Sequence, residues 1–135
     1  MQIFVLLIAL WFMPVCSWAN SGGEAADESE GPVTEYIEMK PKFTVNLLEP
    51  KKYLMVNVQL LVEGAANVEK IKKHMPALRN TLIMLYSGLG IADVQTMAQR
   101  EALRTKTKEE ISNALAKYSN IDGFRDVFFT EFFVN

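Results

Sequence analysis

Side chains able to carry acid-base, nucleophilic or metal chemistry are scarce in this chain. It has one histidine, His74, and one cysteine, Cys16. A catalytic dyad or triad needs a nucleophile, a base and an orienting group within hydrogen-bond reach, and His74 lies on the polar side of a helical pattern with no predictable acid partner. No second His or Cys is present to complete a metal site. We therefore predict no catalytic residue, no metal site and no cofactor, with His74 as a surface residue.

Two other patterns could suggest chemistry and are better explained by structure. Gly88-Leu89-Gly90 is too short for a phosphate-binding fingerprint, and the residues after it do not resemble a helix start, so we interpret it as a turn. Glu109 and Glu110 are adjacent, about 100° apart on a helix, and cannot face each other as an acid/base pair. The chain is predicted to work through protein contacts and not as an enzyme.

The N-terminal segment indicates export across a bacterial inner membrane. Residues Ile3 to Trp18 are uncharged and largely apolar. Ser17-Trp18-Ala19 favours signal-peptide cleavage after Ala19, whereas an uncleaved short anchor and a lipid attached to Cys16 are the alternatives. We assign residues 1–19 to a signal peptide or short membrane anchor, and all three alternatives place the domain on the periplasmic side.

Charge separates the following linker from the domain. Residues 20–32 are small, acidic and almost free of apolar side chains, which is typical of a flexible linker. From Lys40 onward the chain carries all 14 basic residues and 10 of the 16 acidic ones, a net charge of +4, whereas the preceding segment carries −6. No nucleic-acid-binding motif accompanies the basic residues, so we predict no nucleic-acid partner. Residues 33–135 are the candidate folded domain.

Four segments have strand patterns. Val33–Met39 and Phe43–Leu48 are short. In Tyr53–Glu63 every second residue, from Leu54 to Val62, is a leucine or a valine. The core-facing residues of this segment should be Leu54, Val56, Val58, Leu60 and Val62. The fourth segment, Phe124–Val134, carries phenylalanines on both faces, so it should be covered by helices on both sides, or on one side by a partner. Lining a ligand pocket is the less favoured role for Phe128, Phe129, Phe132 and Phe133.

The remaining patterns are helical. Asn67 is a candidate cap for a first helix, and Pro76 predicts a break, with a second helix carrying Pro76 in its first turn. Thr96 and Gln99 form a capping-box signature for a helix over roughly 97–118. Charged residues should crowd the outer face of this last helix, namely Arg100, Glu101, Arg104, Lys108 and Glu109. Strands and helices do not alternate, which predicts an α+β fold with a small, mostly antiparallel sheet packed against two or three helices.

Several stretches together resemble one protein family. They are Phe43-Thr44-Val45-Asn46-Leu47 ahead of Tyr53-Leu54, Met75-Pro76-Ala77-Leu78-Arg79-Asn80, and Val127-Phe128-Phe129-Thr130-Glu131-Phe132. The helix from Thr96 to Leu115 fits the segment between the last two. In this order and spacing they resemble the FliL family of flagellar basal-body proteins, over about residues 35 to 135.

The resemblance implies a domain similar to the stomatin-type fold. It implies a protein that forms homo-oligomeric rings beside the stator of the flagellar motor, near the inner membrane, and supports torque and motility. Its expected partners are copies of itself, stator proteins and, for an accessory paralogue, a membrane-anchored FliL relative. The alternative hypothesis is a periplasmic carrier that binds an apolar ligand or lipid between the aromatic strand and the helices.

Overall fold

The computed structural model describes residues 33–118 and 122–135, so the predictions for residues 1–32 lie outside the described part. The elements lie in chain order as follows: β1 (Thr34–Glu38), β2 (Phe43–Asn46), β3 (Tyr53–Glu63), α1 (Ala65–Lys73), α2 (Met75–Ser87), a 3-10 turn (Ile91–Asp93), α3 (Met97–Ala116) and β4 (Phe124–Val134). The two long strands begin and end where the sequence predicted.

The sheet is antiparallel throughout and is built around β3. Both short strands pair with one side of β3: β2 with its first residues and β1 with its last. The other side of β3 pairs along its length with β4, from Leu54↔Val134 to Val62↔Phe124. Two register shifts leave Arg125 and Thr130 as extra residues in β4, and such bulges bend and twist a strand. Among the described strands, β4 has no partner on its second side.

One face of this sheet forms the core. The alternation predicted in β3 is confirmed, because its five core-facing residues are fully buried, at 0% exposure. Three helices cover the same face: α1 contacts β1 and β3, α2 contacts β2, and α3 contacts β4. The resulting α+β architecture with an antiparallel sheet confirms the predicted fold class. The likeness to the stomatin-type domain stays a prediction.

The first two helices meet where proline was expected to separate them. His74 joins α1 to α2, and Pro76 occupies the first turn of α2, where its missing N–H costs nothing. The expected cap at Asn67 is wrong. The helix begins earlier, after Gly64 with its positive φ of 94°, and the Asn67 side chain donates to the carbonyl of Glu63 at 3.0 Å instead.

The third helix has the predicted capping box. The Thr96 hydroxyl accepts a hydrogen bond from the Gln99 N–H at 3.1 Å, and the Gln99 side chain accepts one from the Thr96 N–H at 2.9 Å. Within the buried face of α3, Thr107 hydrogen-bonds the Tyr86 hydroxyl of α2 at 2.9 Å. This bond fixes α3 against α2 in the core. In the described ranges, no helix is long and apolar enough to cross a membrane.

Candidate functional site

The face of the sheet opposite the helices, here called the open face, is not covered by any described element. Two aromatic pairs lie on it. The Tyr36 and Phe128 rings are 6.0 Å apart, and the Tyr53 and Phe133 rings are 6.5 Å apart. Tyr36 is 61% exposed and Phe133 is 54% exposed. Aromatic rings held on a rigid sheet and left in water are typical of contact surfaces.

The phenylalanines of β4 therefore divide between the two faces. Phe124, Phe129 and Phe132 pack against the core, whereas Phe128 and Phe133 contribute to the open face. Two outcomes were expected for this strand. Coverage by helices on both sides is wrong for the described residues, because all three helices lie on one face of the sheet. The remaining expectation, a partner on the open face, stays a prediction.

Polar side chains lie between the two aromatic pairs. Asn57 is only 8% exposed and donates to Glu38 Oε1 at 2.8 Å. Its Oδ1 atom is buried without a partner among the described residues. The hydrogen bond from Asn57 is the main cause that lowers the pKa of Glu38. Glu131, paired with Asn57 in the ladder, binds Lys42, so the centre of the open face is polar and internally paired.

The free edge of β4 is occupied near its start by a group that we name the edge clamp: Arg104 and Asp126 on the backbone of Val127. The Val127 N–H donates to Asp126 Oδ1 at 2.8 Å, and the Val127 carbonyl accepts from Arg104 Nη1 at 2.9 Å. Arg104 Nη1 also binds Asp126 Oδ1 at 2.8 Å. The clamp satisfies backbone groups that a further strand would otherwise pair with.

The charges in and beside the edge clamp stabilise the ionised forms of Asp126 and Arg104. Burial raises the pKa of Asp126, but the hydrogen bond from Val127 and the positive charges of Lys108 and Arg104 outweigh it, so the pKa is lowered overall. The pKa of Arg104 is raised, chiefly by its hydrogen bonds to Glu101. The expectation that Arg104 and Lys108 belong to a charged outer face is therefore incomplete, because both reach back to β4.

A second arginine of α3 also turns towards β4. The Arg100 guanidinium lies over the Phe132 ring, 4.7 Å from its centre, at a distance that allows a cation–π interaction. Helix α3 thus contacts β4 through two arginines that sequence reasoning assigned to solvent. A signal was present in the sequence, since Arg100 and Arg104 are one turn apart and share a helix face.

Residues that could suggest chemistry are engaged in structure. His74 is half-buried, and its ring stacks on Tyr118 with the ring centres 4.0 Å apart. The N–H of Gly90 donates to Asp93 at 2.8 Å, and that of Ile91 donates to Glu49 at 2.9 Å. Carboxylates of the chain therefore occupy the amides that a phosphate would need. The residues after Gly90 form a single turn of 3-10 helix, Ile91–Asp93, although they were not expected to begin a helix.

A metal site, an acid/base pair and a ligand pocket are the other sites considered from the sequence. Residues 33–118 and 122–135 contain no group of three or more His, Cys, Asp or Glu side chains able to hold a metal ion. Glu109 is exposed and Glu110 half-buried on α3, and Cys16 lies outside the described residues. A cleft of about 340 Å³ lies between α2, the 3-10 turn and α3, with Leu85, Leu89 and Leu103 in its wall. It is not lined by β4, where the carrier hypothesis placed its ligand.

The segments that carry the family resemblance meet in the fold. Arg79 of α2 lies over the Phe43 ring at 4.3 Å and donates to the carbonyls of Met39 and Pro41 at 3.1 and 2.6 Å. Burial lowers the pKa of Arg79. Phe43 also packs edge-on against Tyr86, with the ring centres 5.7 Å apart. These residues hold α2 on the sheet, so the shared pattern reflects the fold.

Two comparisons with known proteins indicate the same family. The family model described as "Flagellar basal body-associated protein FliL" matches residues 36–134. A curated relative, "Flagellar protein FliL" of Aquifex aeolicus (strain VF5), is 27% identical over 99 residues, which is 72% of this chain and 59% of the relative. The match therefore spans less than two thirds of the relative's length. From β1 to β4, the chain belongs to the FliL family of flagellar basal body-associated proteins.

Proposed function

We propose that this protein oligomerises beside the stator of the flagellar motor, on the periplasmic side of the bacterial inner membrane, and supports torque generation and motility. The observation that carries the proposal is the family match from residue 36 to residue 134, which includes all three helices and, except for the first two residues of β1, the whole sheet. In this proposal the protein works by binding other proteins, without catalysis.

The open face supports a contact role. Its Tyr36 and Phe133 rings keep more than half of their surface in water, although they lie on a sheet whose other face is buried. Residues with rigid aromatic rings lose little conformational entropy on binding. The paired polar groups at the centre, Asn57 with Glu38 and Glu131 with Lys42, would give such a contact a polar component.

Support of the motor would arise from differential binding. A protein shifts a two-state equilibrium only as far as its affinity differs between the two states. An assembly of this chain that binds an active stator arrangement about tenfold more tightly than an inactive one would favour the active one by about 1.4 kcal/mol per contact. The partners in this proposal are further copies of the chain, stator proteins and a membrane-anchored family member.

Localisation in living cells tests the proposal directly. The full chain would carry a C-terminal fluorophore that matures in the periplasm, joined to Asn135 by a flexible linker of about 20 residues. A flexible linker is needed because Asn135 pairs with Tyr53 at the end of the sheet. Flagella would be stained in the same cells. We expect foci at flagellar bases, and we expect them to depend on the stator proteins.

Two matched substitutions link the foci to the open face. Tyr36→Ser removes an aromatic ring that is 61% exposed on that face, and Met84→Ser removes a somewhat more exposed apolar side chain, at 70%, from α2. Tyr36→Ser should weaken the foci and Met84→Ser should leave them intact. A diffuse peripheral signal from the intact unsubstituted fusion in swimming cells would exclude the basal-body role and favour the periplasmic carrier.

A further inference from the structure

Helix α1 carries a group of lysines in its last turn. We name Lys70, Lys72 and Lys73 the α1 lysine cluster. All three are exposed, and Glu69 is the only acidic residue of the helix. A helix C-terminus stabilises positive side chains, because its free carbonyl groups carry a partial negative charge. The cluster therefore offers a positively charged surface that suits an acidic ligand.

An acidic residue from the N-terminal part of the chain already binds this cluster. Glu35 Oε1 of β1 lies 3.5 Å from Lys72 Nζ. Glu35 belongs to the stretch ahead of Lys40, which contains acidic residues and no basic one. Four further acids of that stretch lie upstream, within residues 20–32: Glu24, Asp27, Glu28 and Glu30. The observed ion pair is therefore continuous in sequence with a longer acidic segment.

The chain also enters the domain beside α1. The Val33 carbonyl accepts a hydrogen bond from the Gly64 N–H at 2.7 Å, directly ahead of the first residue of the helix. A chain extends by at most about 3.6 Å per residue, and a helix of this length spans only about 14 Å. The four upstream acids are therefore attached close enough to reach the cluster.

We propose that the acidic segment, residues 20–32, binds the α1 lysine cluster of its own chain. The segment continues from the Glu35–Lys72 pair and places its carboxylates beside the ammonium groups of the cluster. Each exposed ion pair contributes little, but several act together, and the covalent attachment gives the segment a high effective concentration. The contact is reversible and weakens as salt screens the charges.

This contact goes beyond the proposed function and does not depend on it. When released, residues 20–32 allow residue 20 to lie up to about 40 Å from the start of β1. When bound along α1, the same residues hold residue 20 close to the domain. The contact therefore sets how far the domain stands from the point where the N-terminal part of the chain is held.

Proteolysis of the acidic segment tests the contact. The full chain, in micelles of an uncharged detergent, is treated with elastase, which cleaves after small residues such as Ala25. Lys72→Gln with Lys73→Gln removes two charges of the cluster. The matched control is Lys51→Gln with Lys52→Gln, an exposed pair at the opposite end of β3, about 34 Å away. In dilute buffer, the cluster variant should be cleaved about threefold faster than the native chain, and the control at the native rate.

Salt and lipid separate this contact from other roles of the lysines. In about 0.5 M salt the native chain should be cleaved as fast as the cluster variant, because the charges are screened. Equal cleavage of the two chains in dilute buffer would overturn the proposal. So would a cluster variant that is cleaved at the native rate but loses binding to vesicles of phosphatidylglycerol and phosphatidylethanolamine, because the lysines would then serve a membrane surface.

Charge reversal distinguishes direct pairing from a disturbed helix. Asp27→Lys, Glu28→Lys and Glu30→Lys together make the segment basic, and Lys72→Glu with Lys73→Glu make the cluster acidic. A chain with the basic segment and the native cluster should be cleaved rapidly. Adding the acidic cluster should slow cleavage of that same segment about threefold. Cleavage that stays rapid in the doubly reversed chain would contradict the contact.

Discussion

The two faces of β3 carry neighbouring residues into opposite environments. Val58 and Leu60 point into the core and are fully buried, whereas Gln59 and Leu61 point to the open face and keep part of their surface in water. Residues on the helix-covered face stabilise the fold through apolar burial. Residues on the open face are held by the same backbone and contribute less to it. The fold therefore leaves one face of the sheet available for contacts between proteins.

The largest expected difference between the faces comes from truncating neighbouring leucines. Leu60→Ala should lower the free energy of unfolding by roughly 2–5 kcal/mol, because it removes buried methyl groups and leaves a cavity. Leu61→Ala should lower it by less than about 1 kcal/mol, because that side chain is only half-buried on the open face. Denaturant unfolding of the full-length variants measures both. Similar losses would mean that another element covers the open face.

The next effect concerns the polar contact inside the core. Burial raises the pKa of Tyr86, whose hydroxyl bonds only to Thr107 among the described side chains. Tyr86→Phe should cost about 1–2 kcal/mol, because it leaves the buried Thr107 hydroxyl without its partner. Adding Thr107→Val should recover part of that loss. The coupling energy from a double-mutant cycle checks this, and strictly additive losses would show that the hydrogen bond contributes nothing.

The edge clamp should give a smaller, pH-dependent effect. Arg104→Met should destabilise the chain by about 1 kcal/mol, since both charges are partly exposed. The pKa of Asp126 is lowered in the folded protein from an ordinary 3.8. The stability gained from it is therefore present above pH 3.8 and is lost as the pH falls through the lower folded pKa. Unfolding free energies measured from pH 6 downward should show this loss in the native chain.

One substitution separates the clamp from general acid effects. Asp126→Asn removes the clamp carboxylate and should flatten the acid-side loss. A slope unchanged by Asp126→Asn would show that the clamp carries no stabilising charge interaction.

The features that rest on local patterns were predictable from the sequence. The alternation in β3, the break at Pro76 and the Thr96 capping box each depend on residues close together in the chain, and all three are confirmed. Their spacing determines which side of a strand is apolar and where a helix begins. Fold class followed from the order of these elements.

Features that depend on distant segments were missed. The edge clamp joins Arg104 to Asp126, and the core hydrogen bond joins Tyr86 to Thr107. Asn57 is buried on the open face because of where β1, β2 and β4 meet β3. Periodicity assigns a charged residue to solvent and cannot show which strand a long arginine reaches. Asn67 was misassigned because Gly64 could begin the helix earlier, through a backbone conformation that the pattern does not reveal.

The smallest expected stability change tests whether the open face serves contacts. Tyr36→Ser removes a ring that is 61% exposed and touches Phe128, so the loss in unfolding free energy should be less than about 1 kcal/mol. Met84→Ser should cost a similar amount. Thermal unfolding of both full-length variants measures this. If Tyr36→Ser disperses the foci while its stability equals that of Met84→Ser, the lost contact and not misfolding accounts for the dispersal. A large loss of stability for Tyr36→Ser alone would instead make the open face part of the fold.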